Sequence, residues 1–392
     1  MEINDLLKQA VEEGASDLHI KVGNSPVLRI NGALKPLSNE PRVTKEEAAR
    51  LALACMNTAQ KEMFKKEADI DFAYSVAGLG RFRCNAFLQR GTMGIVFRII
   101  PTSIPVIDDL NLPPALKEMA LEERGLILVT GTTGSGKSTT LAALINHVNH
   151  MRTVNIVSIE DPIEYLHRDK KSLINQREVG ADTKNFPKAL RAALRQDPDV
   201  ILVGEMRDFE TIQTCLMAAE TGHLVLSTLH TVDAAETVNR IISFFPPYHQ
   251  QQVRLQLASV LKGIISLRLL PRADGKGRVP AVEVLVSTVT VKECIVDAAK
   301  TKLLPDVIAQ GKIHYGMQTF DQSLFDLYKK GLVSYEEASR QASNPADFAL
   351  KVKGVRSTSD LAYEQAREPG PEGTFNKDGF NDGGFDIERF SK

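Results

Sequence analysis

Residues 131–138 read GTTGSGKS and satisfy the pattern G-x-x-x-x-G-K-[ST]. The apolar run LILVT precedes them and STTLAALINHV follows, so a strand feeds the loop and a helix leaves it. Phosphate binding needs that context. Glycines let successive backbone N–H groups turn toward phosphate oxygens, and the helix N-terminus adds positive potential. Lys137 can reach the β and γ phosphates, Ser138 can ligate Mg²⁺, and Thr139 can donate to the α phosphate. The candidate nucleotide-binding residues are therefore Thr133, Gly134, Ser135, Gly136, Lys137, Ser138 and Thr139.

Hydrolysis needs more: a carboxylate that orients water, and positive charge against the phosphates. After the next expected strand, SIEDPIE supplies Glu160, Asp161 and Glu164. In a parallel sheet the C-terminal end of that strand shares an edge with the phosphate loop, so all three can face the γ phosphate. A third strand ends in ILVGE, resembling a Walker B element in which Gly204 stands where an aspartate is usual. Glu205 is expected to contact the metal through water. The segment GHLVLSTLH is framed by His223 and His230, and His230 falls at the edge where it could sense the γ phosphate. Upstream, Arg81 and Arg83 lie two apart on one expected strand and share a face, with Arg98 on a neighbouring strand. A guanidinium cluster outside the nucleotide core suits an arginine-finger role, because closure or a neighbouring subunit can bring it to the γ phosphate. Arg195, Arg207 and Arg240 are secondary candidates for phosphate or interface contacts.

These groups need a sheet edge to converge on. From residue 115, apolar strands at 126–130, 154–159, 200–203 and 224–227 alternate with helices, which implies a parallel sheet covered on both faces. Residues 249–354 read as mainly helical, broken by a turn at Asp274 and Gly275 and a strand at 281–286. Residues 1–100 read as a separate mixed α/β domain. It opens with an amphipathic helix on Ile3, Leu6, Leu7, Ala10 and Val11, followed by strands at 17–20 and 27–30 with a hairpin turn at Asn31 and Gly32. Thr44 and Glu47 form a capping box for a helix to about Thr58, and strands follow at 81–87 and 95–100. Between the domains, residues 101–114 carry four prolines and read as a linker. Residues 355–392 are expected to be a disordered tail, in which Phe375, Phe380, Phe385 and Phe390 recur among glycines and acids. That repeat reads as a low-complexity extension or a multivalent docking tail.

Composition narrows the class. The 392 residues allow two or three domains, and 43% hydrophobic with 25% charged residues is globular. With Lys plus Arg at 48 and Asp plus Glu at 49, no global field draws the chain to nucleic acid or anionic lipid. No apolar run is long enough to span a bilayer and the start, MEINDLLKQAVEEG, lacks a signal-peptide core, so a cytoplasmic location is expected. Cys55, Cys84, Cys215 and Cys294 form no CxxC pair and read as buried free thiols.

Taken together, GTTGSGKST, SIEDPIEYLH, ILVGEMRD and TGHLVLSTLHT, supported by GRFRCNAF and GMQTFDQSLFDLYKKGLVS, resemble the type IV pilus retraction ATPases, the PilT/PilU family of secretion ATPases. The resemblance covers about residues 1–350. It implies an α/β fold with a PAS-like N-terminal domain and a RecA-like P-loop NTPase domain carrying C-terminal helices. It implies Glu164 as catalytic base, Glu205 as the metal and water residue, Arg83 and Arg98 as paired arginines, and His223 through His230 as a histidine box. ATP and Mg²⁺ follow, as does a homohexamer with its sites between the two domains. The implied partners are an inner-membrane platform protein, the pilus machinery and a paralogous pilus ATPase, so membrane proximity comes through proteins and not through insertion. The long extra N-terminal domain and tetracysteine motif of pilus extension and type II secretion ATPases are not found, which favours retraction. Where retraction members usually carry a basic AIRNLIRE-like helix, residues 290–297 read TVKECIVD, which keeps a PilU-like accessory motor as the alternative. Two other classes stand beside these: a nucleotide-gated assembly module with little turnover, and a RecA-like nucleic-acid motor. Neutral charge counts against the last.

Overall fold

The computed structural model describes residues 1–30, 32–101 and 103–354. The expected tail, with its phenylalanine repeat, lies outside the described residues, as does Asn31 of the expected hairpin turn.

The N-terminal domain is built on strands β1 (Asp17–Lys21), β2 (Val27–Ile30), β3 (Ala33–Pro36), β4 (Asp69–Val76), β5 (Gly80–Gln89) and β6 (Thr92–Ile99). They form an antiparallel sheet in the order β3-β2-β1-β6-β5-β4. Alternation sets what each face does: β5 buries Phe82, Cys84 and Ala86 and turns Arg81, Arg83 and Asn85 the other way. The buried face packs on the helix Ile3–Glu12, through Ile3, Leu6, Leu7 and Ala10, and on the helix Lys45–Ala54. The expected helix to Thr58 is in fact two. It stops at Ala54, and Asn57 starts a second, Thr58–Glu67, by exchanging side-chain and backbone hydrogen bonds with Gln60.

The second sheet comprises β7 (Gly125–Thr130), β8 (Asn155–Glu160), β9 (Leu173–Glu178), β10 (Val200–Val203), β11 (Leu224–Leu229), β12 (Leu261–Pro271) and β13 (Arg278–Val286). Their order is β13-β12-β7-β11-β10-β8-β9, parallel except for β13. Both faces are covered. Leu126, Leu128, Val157 and Ile201 pack against helices Phe186–Ala193, Phe209–Glu220, Ala234–Ser243 and Pro247–Val260. On the opposite face, Ile127, Val129, Ile156 and Leu202 meet Ala115–Ala120 and Lys137–Met151. Burial on both faces is why these strands read as unbroken apolar runs.

The reading of residues 249–354 as mainly helical needs correction, since β12 runs from Leu261 to Pro271 beside the phosphate-loop strand. Its run LKGIISLRLLP is apolar on both sides, and such a run does not separate strand from buried helix by period. Gly263 held the clue: a Cβ there would stand 2.8 Å from the Leu285 carbonyl oxygen, the close backbone approach that a strand glycine signals. Helices do dominate from Val289 to Val352. The four cysteines are buried free thiols.

Candidate active site

Strands β7, β8, β10 and β11 end on one edge of the second sheet, where a cleft of about 690 Å³ opens against the N-terminal domain. That volume is in the range of small-molecule sites. Thr133, Gly134, Gly136, Lys137, Ser138, Thr139, Glu164, Glu205 and His230 line it from one side, and Arg83 and Arg98 from the other.

The phosphate loop is shaped by its own packing. Gly131 has φ near +139°, and a Cβ there would stand 2.5 Å from Ser135 Oγ and 2.6 Å from the Leu267 carbonyl, so no larger residue fits. Gly136 is the N-cap of helix Lys137–Met151 and no side chain caps it, leaving the first-turn N–H groups for an external acceptor. Lys137 Nζ donates to the carbonyls of Gly131 at 2.7 Å and Thr132 at 3.0 Å. Burial lowers its pKa, and the Glu205 carboxylate opposes that shift. Ser135 is placed differently from its loop neighbours. Its hydroxyl turns under the loop, buried and without a partner among the described residues, and does not line the cleft. The Thr139 hydroxyl meets Tyr165 Oη at 3.0 Å.

The acidic groups separate by environment. Glu160 lines the cleft from a partly buried position, accepts from Ser158 Oγ at 2.7 Å and Gln176 Nε2 at 3.0 Å on one oxygen, and burial raises its pKa. Glu164 lines the cleft and is exposed. Glu205, nearly buried, pairs with Arg207 Nε at 2.6 Å and lies 3.5 Å from His230 Nε2. Among the described residues no group of three or more His, Cys, Asp and Glu forms a metal cage. The donors at hand are the Ser138 hydroxyl and the Glu205 carboxylate, a small oxygen set that suits Mg²⁺ completed by phosphate and water.

Arg83 and Arg98 face each other directly across β5 and β6. Like charges in that register repel. Asp17 on β1 answers Arg98, with Arg98 Nε 2.9 Å from Asp17 Oδ1, while Arg83 has no ion pair among the described residues. The pair thus leaves positive charge directed to the cleft. Of the secondary arginines, Arg207 lines the cleft; Arg195 binds the Arg191 carbonyl and Arg240 lies over the Phe244 ring, both away from it. His223 precedes β11 at the sheet edge opposite His230, bonded to the Ala218 carbonyl at 2.9 Å. The lining also includes Tyr165, His167, Leu269 and Arg278, none of them a candidate from the sequence. Leu269 sits on β12, which the helical reading of this region misses, and Arg278 begins β13, three residues before the expected strand at 281–286. His167 is neutral in character, its pKa pushed down to about 4 by burial and then by Lys170.

Behind the cleft a polar chain crosses the sheet. Thr130 Oγ1 donates to Ser266 Oγ at 3.0 Å, and Glu283 Oε1 accepts from Ser266 Oγ at 3.3 Å and from the Ala234 N–H at 2.8 Å. It ties the strand before the phosphate loop to the helix after His230. Burial pushes the Glu283 carboxyl up to about 7 from 4.5. The folded state therefore keeps a proton that the unfolded chain releases first, and stability falls as pH rises between those values. From pH 5 to 8 the wild type should lose roughly 2 kcal/mol relative to Glu283→Gln, read from urea unfolding at both pH values. Parallel curves would refute the assignment.

The model of the type II/IV secretion system protein family matches residues 1–312. The chain is 43% identical over 361 residues to the type IV pilus ATPase PilU of Pseudomonas aeruginosa, covering 92% of this chain and 94% of that protein. It is 43% identical over 348 residues to the type IV pilus retraction ATPase PilT of the same organism, covering 89% and 100%. A crystal structure of the pilus retraction motor PilT with bound ADP superposes with a TM-score of 0.82 at 46% identity, covering 88% of this chain and 98% of that one. The chain belongs to the type II/IV secretion system protein family, as an ATPase of its PilT and PilU pilus-retraction branch.

Proposed function

We propose that the chain powers pilus retraction by hydrolysing ATP in the cleft between its two domains, as one subunit of a homohexameric ring. The observation that carries this reading is the cleft itself, where the phosphate loop and the Glu164 and Glu205 carboxylates face Arg83 and Arg98 of the other domain. Cleavage there changes the charge that the two domains share, so chemistry and domain position are linked. Lys137 and the first-turn N–H groups bind the phosphates, Glu164 takes the proton of the attacking water, and Arg83 and Arg98 neutralise the charge that develops on the γ phosphate. His230, within reach of Glu205, reads the state of that carboxylate. Mg²⁺, held by Ser138 and by Glu205 through water, supplies further charge neutralisation when bound. Residues 1–100 act as the moving domain, 101–114 as the linker and 115–354 as the ATPase domain, with 355–392 as a tail.

No described helix is long and apolar enough to cross a membrane. We assign the chain to the cytoplasmic side of the inner membrane, held there by a platform protein of the pilus machinery. An accessory motor working with a paralogous pilus ATPase is the second reading, favoured by the arginine-free segment 290–297. The test is steady-state phosphate release by the full chain with ATP, with and without Mg²⁺, followed by pilus retraction in cells lacking the paralogue. The motor reading expects turnover that falls at least roughly 100-fold without Mg²⁺, and retraction without the paralogue. Turnover without retraction would assign the accessory role, and absence of turnover would leave only a nucleotide-binding module.

A further inference from the structure

We propose that Arg81 and Glu178 form a latch through which the position of the N-terminal domain sets the position of Glu164. The proposal rests on the reading of Glu164 as the base and adds what controls it.

Strand β9 is the edge of the second sheet, hydrogen-bonded among the described strands to β8 alone. Two of its side chains hold the loop that presents Glu164. On one side of Glu164, Glu178 Oε2 accepts the Ile163 N–H at 3.0 Å. On the other, Gln176 accepts the His167 N–H at 2.8 Å and donates to the Tyr165 carbonyl at 2.9 Å. The carboxylate is thus carried on a short bridge pinned at both ends by one strand, so wherever the end of β9 goes Glu164 must follow.

The same Glu178 oxygen is 2.8 Å from Arg81 Nη2. Arg81 belongs to β5 of the other domain, and the pair is enclosed, its side chains 18% and 6% exposed. A buried carboxylate that loses its cation is strongly disfavoured, so withdrawal of Arg81 releases Glu178 toward solvent and frees the Ile163 N–H. Arg81 also stands two residues before Arg83 on the same face of one strand. A single rigid movement of that strand therefore brings Arg83 to the cleft and Arg81 to the latch together. Charge stabilisation and base placement then arrive at once, and a subunit whose domains are apart has neither. Arg81 and Glu178 touch no substrate; they are positioning residues.

Arg81→Met keeps the aliphatic stem and removes the charge, while Glu178→Gln keeps an oxygen for the Ile163 N–H and removes the pairing. Each should lower kcat roughly ten-fold with KM for ATP little changed, because misplacement of a base is a transition-state loss. The double variant should be no slower than either single one, since both remove one interaction. Hydrogen–deuterium exchange on the full-length protein should quicken in the peptide covering 161–165 in Arg81→Met, with the helix after the phosphate loop unchanged. Wild-type exchange in that peptide, additive losses, or an unaltered kcat in Arg81→Met would each overturn the latch. Glu164→Gln, assayed in parallel, separates the two claims. If it turns over normally the base assignment fails, and the exchange result still decides whether Arg81 holds the loop.

Discussion

Lys137→Ala should fold normally and hydrolyse ATP at least roughly 1,000-fold more slowly than the wild type, the scale of losing a preorganised charge at the transferred phosphoryl group. The structure shows where the ammonium waits. It sits on the Gly131 and Thr132 carbonyls, 2.7 and 3.0 Å away, in a half-buried position that disfavours its charge. Phosphate oxygens are charged acceptors and bind an ammonium more strongly than neutral carbonyls do, so arrival of the nucleotide draws Nζ off the loop. Alanine leaves those carbonyls at the cleft, where water replaces the lost donor, and the thermal midpoint without nucleotide should move little. Lys137→Arg should fail as well, losing at least about 100-fold, because a planar fork does not fit a place made for a compact cation. Phosphate release, with melting curves as the folding control, checks both. A Lys137→Ala protein with wild-type turnover would remove the loop from the chemistry.

How much of this was readable beforehand depends on whether a residue's role is local. The phosphate loop was legible because its chemistry lies in consecutive residues, and Glu205 and His230 because parallel strands end on a common edge whatever their order. Alternation on a strand put Arg81 and Arg83 on one face, the pairing of Arg83 with Arg98 was implied by the resemblance, and the register does place those two opposite one another. The role of β9 was not legible. LINQRE has no apolar alternation, as expected of an edge strand flanked on one side by loop, and nothing local marks Gln176 or Glu178 as holding a segment nine to fifteen residues earlier. Leu269 was lost with β12, whose two-sided burial erased the period that tells strand from helix, and Arg278 falls between the expected turn at Asp274 and Gly275 and the expected strand at 281–286. Ser135 shows the converse: the motif includes it, yet its side chain serves the loop and not the cleft.

Glu160 and Glu164, the two glutamates of SIEDPIE, should separate under the same substitution. Glu164→Gln is expected to bind ATP and cleave it roughly 1,000-fold more slowly, and Glu160→Gln about ten-fold more slowly. At first sight Glu160 is the better base, since burial raises its pKa and so makes its carboxylate more basic. Its lone pairs decide against it. One oxygen already takes the Ser158 hydroxyl and the Gln176 amide, and the Glu164 backbone N–H also bonds the carboxylate, so at the cleft wall little of it is left for a water. Proton transfer there would break a network that holds the loop in place. Glu164 faces the cleft, exposed, with its backbone fixed on both sides by β9, so its carboxylate is free to take a proton while its position is held. Gln at 160 can keep the Oε1 bonds and forfeits only part of the anchoring, hence the smaller loss. Single-turnover cleavage of ATP by both variants gives the order directly. A deeper loss in Glu160→Gln than in Glu164→Gln would move the base to Glu160, and the loop that β9 pins would then matter for substrate placement and not for proton transfer.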